Sequence, residues 1–331
     1  MTEDRTNPIT RPPFDQNLIE GLQASPGFLS FTDENLPVLR ANAALGREAI
    51  AEDLAKYAVE VTDHVIDGPR GEITLSRIGP RGGTTMAPAV YFIHGGGMLI
   101  GDRFFTVSAY HLVEWAATLG LVVVTVEYRM APEYPGQAAV DDCYAGLVWL
   151  EANADALGID PARIILAGAS GGGGLAAGTA LLARDLGGPT LLAQLLWCPQ
   201  VEDRSDSTSA LQFGVDAGVG VTWSREDHRY AWNTILGEGH EDREVSSYVA
   251  ANRAEDLRGL PPAFIDVGSN EVFRDPVVEY ASKLWAAGVS AELHVWPGAF
   301  HGFDALFPHT PVSTAARLVH ENWIRRILDL A

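Results

Sequence analysis

Ser170 lies in a glycine-rich pentapeptide, Gly-Ala-Ser-Gly-Gly at 168–172, which follows the apolar run 164–167 and precedes the small-residue stretch 173–183. This pattern is typical of a strand, a tight turn and a helix. A serine at such a turn adopts a strained backbone, which its neighbours permit because they have little or no Cβ bulk, and presents its hydroxyl at the helix N-terminus. We therefore predict that Ser170 is a nucleophile. The alternatives are a plain packing turn and a phosphate-binding loop, but no lysine follows in the pattern of the latter.

A second glycine-rich loop precedes the serine in the chain. His94-Gly95-Gly96-Gly97 follows an apolar strand pattern that ends near residue 93. Successive glycines let a backbone approach a ligand closely and turn its N–H groups inward. We predict that the amides of Gly96 and Gly97, with that of Gly171, form an oxyanion hole, and that His94 braces the loop. An ordinary flexible loop is the alternative.

A serine nucleophile needs a general base, which in such enzymes is a histidine on a loop late in the chain. His301 fits best, because it lies in the compact loop 297–303 after the strand pattern 292–296. The other histidines, His94 excepted, have weaker contexts: His294 lies inside a strand pattern, and the rest lie in polar or surface-like surroundings, namely His64, His111, His228, His240, His309 and His320.

The orienting carboxylate is expected after the preceding strand, where three candidates compete. Asp266 lies within the strand pattern 263–267, and Asp275 lies where a helix begins and would serve as an N-terminal charge. Glu271 lies on the loop itself. We favour Glu271 over Asp275, because it is nearer the strand end and because the order Ser, acid, His is that of α/β-hydrolases.

These residues lie in loops between alternating strand and helix patterns. The strand patterns cover 73–77, 89–92, 121–127, 164–167, 192–197, 263–267 and 292–296, and the amphipathic stretches cover 138–154, 173–185, 276–287 and 313–330. Such alternation predicts a mostly parallel sheet with helices on both faces and a ligand site beyond the carboxyl ends of the strands.

Two stretches break this alternation, 1–50 and about 201–240. We predict that they form a helical cap over a catalytic domain of residues 51–331, with surface decoration as the alternative. Large apolar side chains near this region could line a substrate pocket, although simple packing is the more common role of such residues. They are Met98, Phe105, Phe213, Trp223, Phe300 and Phe303.

Composition limits the classes of partner. The 331 residues carry a formal charge of −20, from 43 acidic and 23 basic residues, which disfavours nucleic acid as a ligand. Cys143 and Cys198 lie far apart in apolar surroundings, so we expect buried thiols rather than a disulfide. We see no apolar signal-peptide run, no stretch of membrane-spanning length and no metal-ligand cluster, and we expect a cytoplasmic protein that needs no metal or cofactor.

Several motifs together resemble the hormone-sensitive-lipase-like family of bacterial carboxylesterases, close to the heroin esterase subgroup. The likeness spans about residues 60–330. It rests on the elbow around Ser170 and on His-Gly-Gly-Gly at 94–97, Tyr-Arg-Met-Ala-Pro-Glu at 128–133, Phe-Arg-Asp at 273–275 and Phe-His-Gly-Phe at 300–303. The resemblance implies an α/β-hydrolase fold with an eight-stranded, mostly parallel sheet and a helical cap, hydrolysis of short acyl esters, and frequent homodimers. It also implies that Arg129 and Glu133 are structural.

The chain departs from the family pattern at three positions. Family members usually have an acidic residue before the serine and alanine after it, whereas this chain has Ala169 and Gly171. The family acid is normally aspartate, and Glu271 is one methylene longer, so its loop must sit slightly farther back from the histidine. The predicted function is a serine carboxylesterase that forms an acyl-enzyme with short to medium acyl esters. An amidase, thioesterase or acyltransferase on the same triad, or a silent small-molecule receptor, are the rival hypotheses.

Overall fold

The computed structural model describes residues 10–25, 27–83, 85–215 and 221–330. One eight-stranded sheet organises this part of the chain, with strand order β1-β2-β4-β3-β5-β6-β7-β8. β2 runs antiparallel to both of its neighbours, and the remaining pairs are parallel, as the α/β-hydrolase prediction requires. The strands are β1 (Val59–Ile66), β2 (Ile73–Pro80), β3 (Ala87–Ile93), β4 (Val122–Glu127), β5 (Ile159–Ala169), β6 (Ala193–Trp197), β7 (Ala263–Gly268) and β8 (Ala291–Trp296).

Helices connect these strands and cover the sheet. They are α1 (Gln16–Ala24), α2 (Leu36–Ala43), α3 (Ala51–Lys56), α4 (Leu112–Thr118), α5 (Ala138–Ala152), α6 (Ala154–Leu157), α7 (Gly171–Leu186), α8 (Thr208–Gln212), α9 (Arg225–Leu236), α10 (Arg274–Ala286), α11 (Phe303–Leu306) and α12 (Pro311–Ile327). Short 3₁₀ turns occur at Gly46–Ile50, His240–Asp242 and Ala251–Arg253. None of these helices, all within the described residues, combines the length and apolar character that a bilayer crossing requires.

The core lies on both faces of the sheet. All seven residues of β3 are buried, and successive side chains point to opposite faces. Tyr91 and Ile93 join the core formed with α5, α7 and α10, whereas Val90 and Phe92 join the core formed with α4 and α12. Both cysteines are buried and unpaired, as the sequence predicts. Helices on both faces are therefore confirmed.

The sequence pattern of residues 59–66 does not predict strand β1. It mixes apolar side chains with glutamate, threonine, aspartate and histidine, and only its end residues Val59 and Ile66 are buried. β1 is an edge strand paired only with β2, so most of its side chains face solvent and lack a strict alternation. Seven strands follow from periodicity, whereas the eighth follows only from the family resemblance.

The two stretches outside the alternating pattern pack against each other. The backbone N–H of Phe31, between α1 and α2, donates to Oδ1 of Asp227 in α9 at 2.7 Å. The hydroxyl of Tyr230 donates to Asp33 at 2.8 Å, and the rings of Phe31 and Trp223 meet edge to face with centroids 4.8 Å apart. The N-terminal segment and the insertion after β6 thus form one contiguous layer.

Candidate active site

Ser170 occupies the turn between β5 and α7, with φ 55° and ψ −120°. Positive φ is costly for a residue with a side chain, and the surrounding glycines make this turn possible. A Cβ at Gly168 would lie 2.1 Å from the carbonyl oxygen of Gly172, and one at Gly172 would lie 2.1 Å from that of Ile93. The Ser170 N–H donates to the carbonyl of Trp197 at 2.8 Å, which ties the turn to β6. The serine therefore stands at the carboxyl end of the central strands.

His301 lies in the loop after β8, where its Nε2 is 2.9 Å from Oγ of Ser170. This loop is held at its start from two sides. The N–H of Gly298 donates to the Ser269 hydroxyl at 2.8 Å, and its carbonyl accepts from the N–H of Asp15 at 3.0 Å. The histidine is thus fixed within hydrogen-bond reach of the serine.

Glu271 meets the other nitrogen of the same ring. Its Oε2 lies 2.5 Å from Nδ1 of His301, and its Oε1 accepts the N–H of Gly268 at 2.7 Å. Because a carboxylate accepts only, Nδ1 carries the hydrogen and Nε2 is the acceptor that faces Ser170. Asp275 is engaged elsewhere, since it accepts the N–H of Ser209 at 2.8 Å.

The loop 94–97 lies directly against the elbow. A Cβ added at Gly171 would be 2.9 Å from the amide nitrogens of both Gly97 and Met98. In the described part of the chain, no group accepts a hydrogen bond from the amides of Gly96, Gly97 or Gly171. Three backbone donors beside a serine hydroxyl at a helix N-terminus form a site suited to a developing oxyanion.

His94 supports this loop from below. Its ring stacks on Tyr128 with centroids 4.2 Å apart, and its Nδ1 lies 2.9 Å from the carbonyl oxygen of Gly95. The Tyr128 hydroxyl donates to the carbonyl of His94 at 2.9 Å. Burial lowers the pKa of His94 to about 4, so the imidazole is neutral at pH 7 and adds no positive charge beneath the loop.

Arg129 and Glu133, in the motif that begins at Tyr128, both form ion pairs. Arg129 pairs with buried Asp142 at 2.6 Å. Glu133 pairs with Arg40 of α2 at 2.6 Å, and the Arg40 Nε donates to the carbonyl of Leu99 just beyond the glycine loop. These contacts connect α2 to the segment that follows the glycine loop.

An apolar cavity of about 260 Å³ opens over the serine. Ser170, His301 and the glycines 95–97 lie on its wall. Two of the predicted pocket residues, Trp223 and Phe105, also line it. Its remaining large apolar lining residues are Phe28, Leu29, Phe31, Leu39, Ile100, Tyr110 and Leu306.

The structure places the other predicted pocket residues in the packed core instead of on the cavity wall. Met98 and Phe213 belong to the core shared with α5 and α7, and Phe300 and Phe303 form a small core against α1. Each is at most 4% exposed. An apolar side chain gains from being surrounded on all sides, and the sequence does not distinguish such packing from a cavity wall. The predicted pocket residues do not include Phe28, Leu29, Phe31 and Leu39, which line the cavity. The run Phe-Leu-Ser-Phe at 28–31 is nevertheless a visible apolar signal.

Three histidines expected in surface-like surroundings are buried, namely His228, His240 and His320. Their sequence neighbours are polar, but the fold buries all three and pairs two of them with carboxylates. His240 lies 2.9 Å from Asp203, and His320 lies 2.6 Å from Asp266. Asp266, the third carboxylate considered, is thus engaged with His320, whereas Glu271 contacts His301. Within the described residues, no cluster of three or more potential ligands for a metal ion occurs.

A larger surface groove, of about 730 Å³, lies apart from this chemistry. Its wall includes Arg204, Arg253 and Lys283 and none of the residues around Ser170. Arg204 pairs with Glu202, Arg253 with Asp203 and Lys283 with Glu279. Because these cations are already neutralised by carboxylates, the smaller apolar cavity is the better candidate site.

Comparisons with known proteins agree with this geometry. A family model described as alpha/beta hydrolase fold matches residues 90–305. The chain is 40% identical over 218 residues to carboxylesterase NlhH of Mycobacterium tuberculosis. The alignment covers 65% of this chain and 66% of NlhH, so this chain spans just under two thirds of the length of NlhH. It is 33% identical over 313 residues to esterase LipI of the same organism, with 92% of each chain covered.

Solved structures give the same result. A structure described as bacterial heroin esterase superposes with a TM-score of 0.85 at 36% identity, covering 95% of this chain and 98% of that one. Esterase LipW from Mycobacterium marinum superposes with a TM-score of 0.84 at 32% identity, covering 97% and 99%. The predicted family resemblance is confirmed.

Proposed function

Because the chain belongs to the hormone-sensitive-lipase-like family of the α/β-hydrolase fold, we propose that it is a serine carboxylesterase acting on short to medium acyl esters. The observation that carries the proposal is the continuous hydrogen-bond chain from Ser170 through His301 to Glu271. This chain of bonds ends at an apolar cavity, beside glycine amides that donate to no group among the described residues. Ser170 is the nucleophile, His301 the general base and Glu271 the acid that orients the ring.

Acylation follows from these positions. His301 Nε2 takes the proton of Ser170 as the oxygen attacks the ester carbonyl, and Glu271 stabilises the imidazolium through Nδ1. The carbonyl oxygen, now negative, accepts hydrogen bonds from the amides of Gly96, Gly97 and Gly171. The imidazolium then returns its proton to the departing alcohol, leaving an acyl-enzyme. Water attacks this ester with the same base, and the acid product and free serine are released.

The cavity supports the acyl range. At about 260 Å³ it lies just below the usual range of small-molecule sites, which is roughly 300–1,000 Å³. Within the described residues, His301 is the only ionisable side chain on its wall besides the Tyr110 hydroxyl. Neutral acyl groups of modest length therefore fit it better than charged or long ones.

We further infer that the N-terminal segment and the insertion of about 201–240 act as a cap. Phe28 and Leu29 from the former and Trp223 from the latter contribute to the cavity wall, which supports this role. A cytoplasmic location is supported by the two unpaired cysteines, and a homodimer by the family resemblance. Light scattering after size exclusion tests the dimer, and fractionation of the source cells tests the location.

Hydrolysis of p-nitrophenyl esters from acetate to palmitate, with wild type beside Ser170→Ala, tests the proposal. We expect the highest kcat/KM on short acyl chains and no activity in the variant. Matched amide and thioester substrates, and an alcohol acceptor, distinguish the esterase from an amidase, thioesterase or acyltransferase. A wild type inactive on every ester would contradict the proposal and favour a binding protein.

A further inference from the structure

Thr222, in the insertion, makes a direct contact with the base loop. Its hydroxyl donates to the backbone carbonyl of His301 at 2.6 Å. In the described part of the chain, no other group donates to this carbonyl. The base is therefore held at its side chain by Glu271 and at its own backbone by Thr222.

The rest of the base loop shows why this contact matters. Gly298 is tied to Ser269 and Asp15, so the loop is fixed at its start. After His301 comes Gly302 with φ 73°, a conformation that glycine adopts readily, and its carbonyl accepts the N–H of Leu306 at 3.0 Å. The hydroxyl of Thr222 adds a bond at the carbonyl of the base itself, between the two anchored ends of the loop.

The next residue along the insertion contacts the oxyanion side of the site. The Trp223 ring covers Gly97 so closely that a Cβ there would lie 2.5 Å from the ring carbon Cη2. The same ring lies 6.2 Å from the imidazole of His301, centroid to centroid. Ser224 then caps α9 with Asp227, and Asp227 accepts the N–H of Phe31 from the N-terminal segment.

From these contacts we infer that Thr222 is a positioning residue for the base, supplied by the insertion. Its hydroxyl fixes the backbone at His301, so that Nε2 stays in line with the Ser170 oxygen. The inference rests on the proposed esterase function, in which His301 is the base. Thr222 also lies on the cavity wall, but its hydroxyl bonds the His301 carbonyl, so its effect on the chemical step comes through the orientation of the ring.

The variants Thr222→Val and Thr222→Ser test this role. Valine keeps the shape and removes the hydroxyl, whereas serine keeps the hydroxyl. We expect Thr222→Val to lower kcat on p-nitrophenyl butyrate by about tenfold, with KM changed less than about twofold, because misorientation of a catalytic group acts on the chemical step. Thr222→Ser should restore most of kcat.

Thr234→Val is the matched control. The Thr234 hydroxyl also donates to a backbone carbonyl, that of Tyr230 at 2.7 Å, in the same insertion but without contact to the base loop. It should leave kcat unchanged. A Thr222→Val enzyme with wild-type kcat, or a Thr222→Ser enzyme as slow as Thr222→Val, would overturn the inference.

A second measurement is independent of turnover. In protein labelled with ¹³C at histidine Cε1, the His301 signal, assigned by its loss in His301→Ala, should shift or broaden in Thr222→Val and not in Thr234→Val. An unchanged signal in Thr222→Val would also refute the positioning role. If wild type hydrolyses no ester, the proposed function fails, and this signal still decides whether Thr222 orients the ring.

Discussion

Gly171→Ala should lower activity even though it moves the chain toward the pattern usual in its family. The added Cβ would lie 2.9 Å from the amide nitrogens of Gly97 and Met98, whereas ordinary van der Waals contact begins at 3.4 Å. In a close-packed site the glycine loop must therefore retreat by about 0.5 Å. The glycine loop lies this close to the elbow because Gly171 has no side chain, and alanine would displace a proposed oxyanion donor.

The size of the effect follows from what such donors contribute. Complete removal of one oxyanion donor lowers kcat by about 10²–10³. A retreat of the loop by about 0.5 Å weakens the hydrogen bond to the oxyanion without abolishing it. We therefore expect kcat to fall by about tenfold, which corresponds to ~1.4 kcal/mol of barrier. KM should change little, because the interaction strengthens as charge develops on the oxygen.

Steady-state kinetics on p-nitrophenyl butyrate measure this effect, with thermal unfolding recorded beside them. Gly171 begins α7, where alanine is the better helix former, so we expect little loss of stability. Gly214→Ala is the control, because its Cβ would meet only Glu226 at 3.4 Å; it should retain full kcat. A Gly171→Ala enzyme with unchanged or higher kcat would refute the reasoning that the Gly97 amide and the elbow form one tight oxyanion hole.

The remaining predictions concern the acid, the cavity, buried histidine and metals. Glu271→Gln should lower kcat by about 10³–10⁴, since it loses the charge that stabilises the imidazolium. Glu271→Asp should lower kcat by about tenfold, because the shorter side chain cannot reach both the Gly268 amide and His301. Equal rates for the two variants would contradict this. Leu29→Trp should reduce kcat/KM for decanoate more than for acetate, because Leu29 lines the cavity mouth and is 50% exposed; a uniform change would count against it. Burial lowers the pKa of His228 to about 3, so below about pH 6.5 the unfolded state binds a proton that the folded state excludes, and the free energy of unfolding falls as pH falls. His228→Phe, which keeps an aromatic ring in place, should remove up to about 2 kcal/mol of this loss between pH 7 and 5, as measured by denaturant unfolding at both values; an identical pH dependence in the variant would disprove it. Incubation with EDTA should leave ester hydrolysis unchanged, and a loss that zinc restores would contradict the metal-free mechanism.

Local sequence patterns predict the sheet and the loops that carry Ser170, Glu271 and His301. Glycines around Ser170, and loops after β7 and β8, are local signals, because strained turns and strand ends constrain residue type at fixed offsets. The structure then brings Glu271 to His301 while engaging Asp275 with Ser209, an outcome that the sequence could only favour.

Contacts between distant segments could not be predicted. Phe31 reaches Trp223 and Asp227 across almost two hundred residues, and no periodicity encodes such pairing. For the same reason Phe300 and Phe303 fitted a pocket as well as a core on sequence grounds. Local pattern specifies that a side chain is buried, whereas tertiary packing decides whether its neighbour is protein or cavity.

The most direct test of the central claim is covalent labelling with diethyl p-nitrophenyl phosphate, followed by intact-protein and peptide mass spectrometry. The triad and oxyanion hole predict one diethylphosphoryl group per chain, on Ser170, gained in parallel with the loss of ester hydrolysis and absent from Ser170→Ala. Two results would contradict the assignment of Ser170 as nucleophile. The treated enzyme could lose its activity while Ser170 stays unmodified, or the modification that inactivates it could lie on another residue.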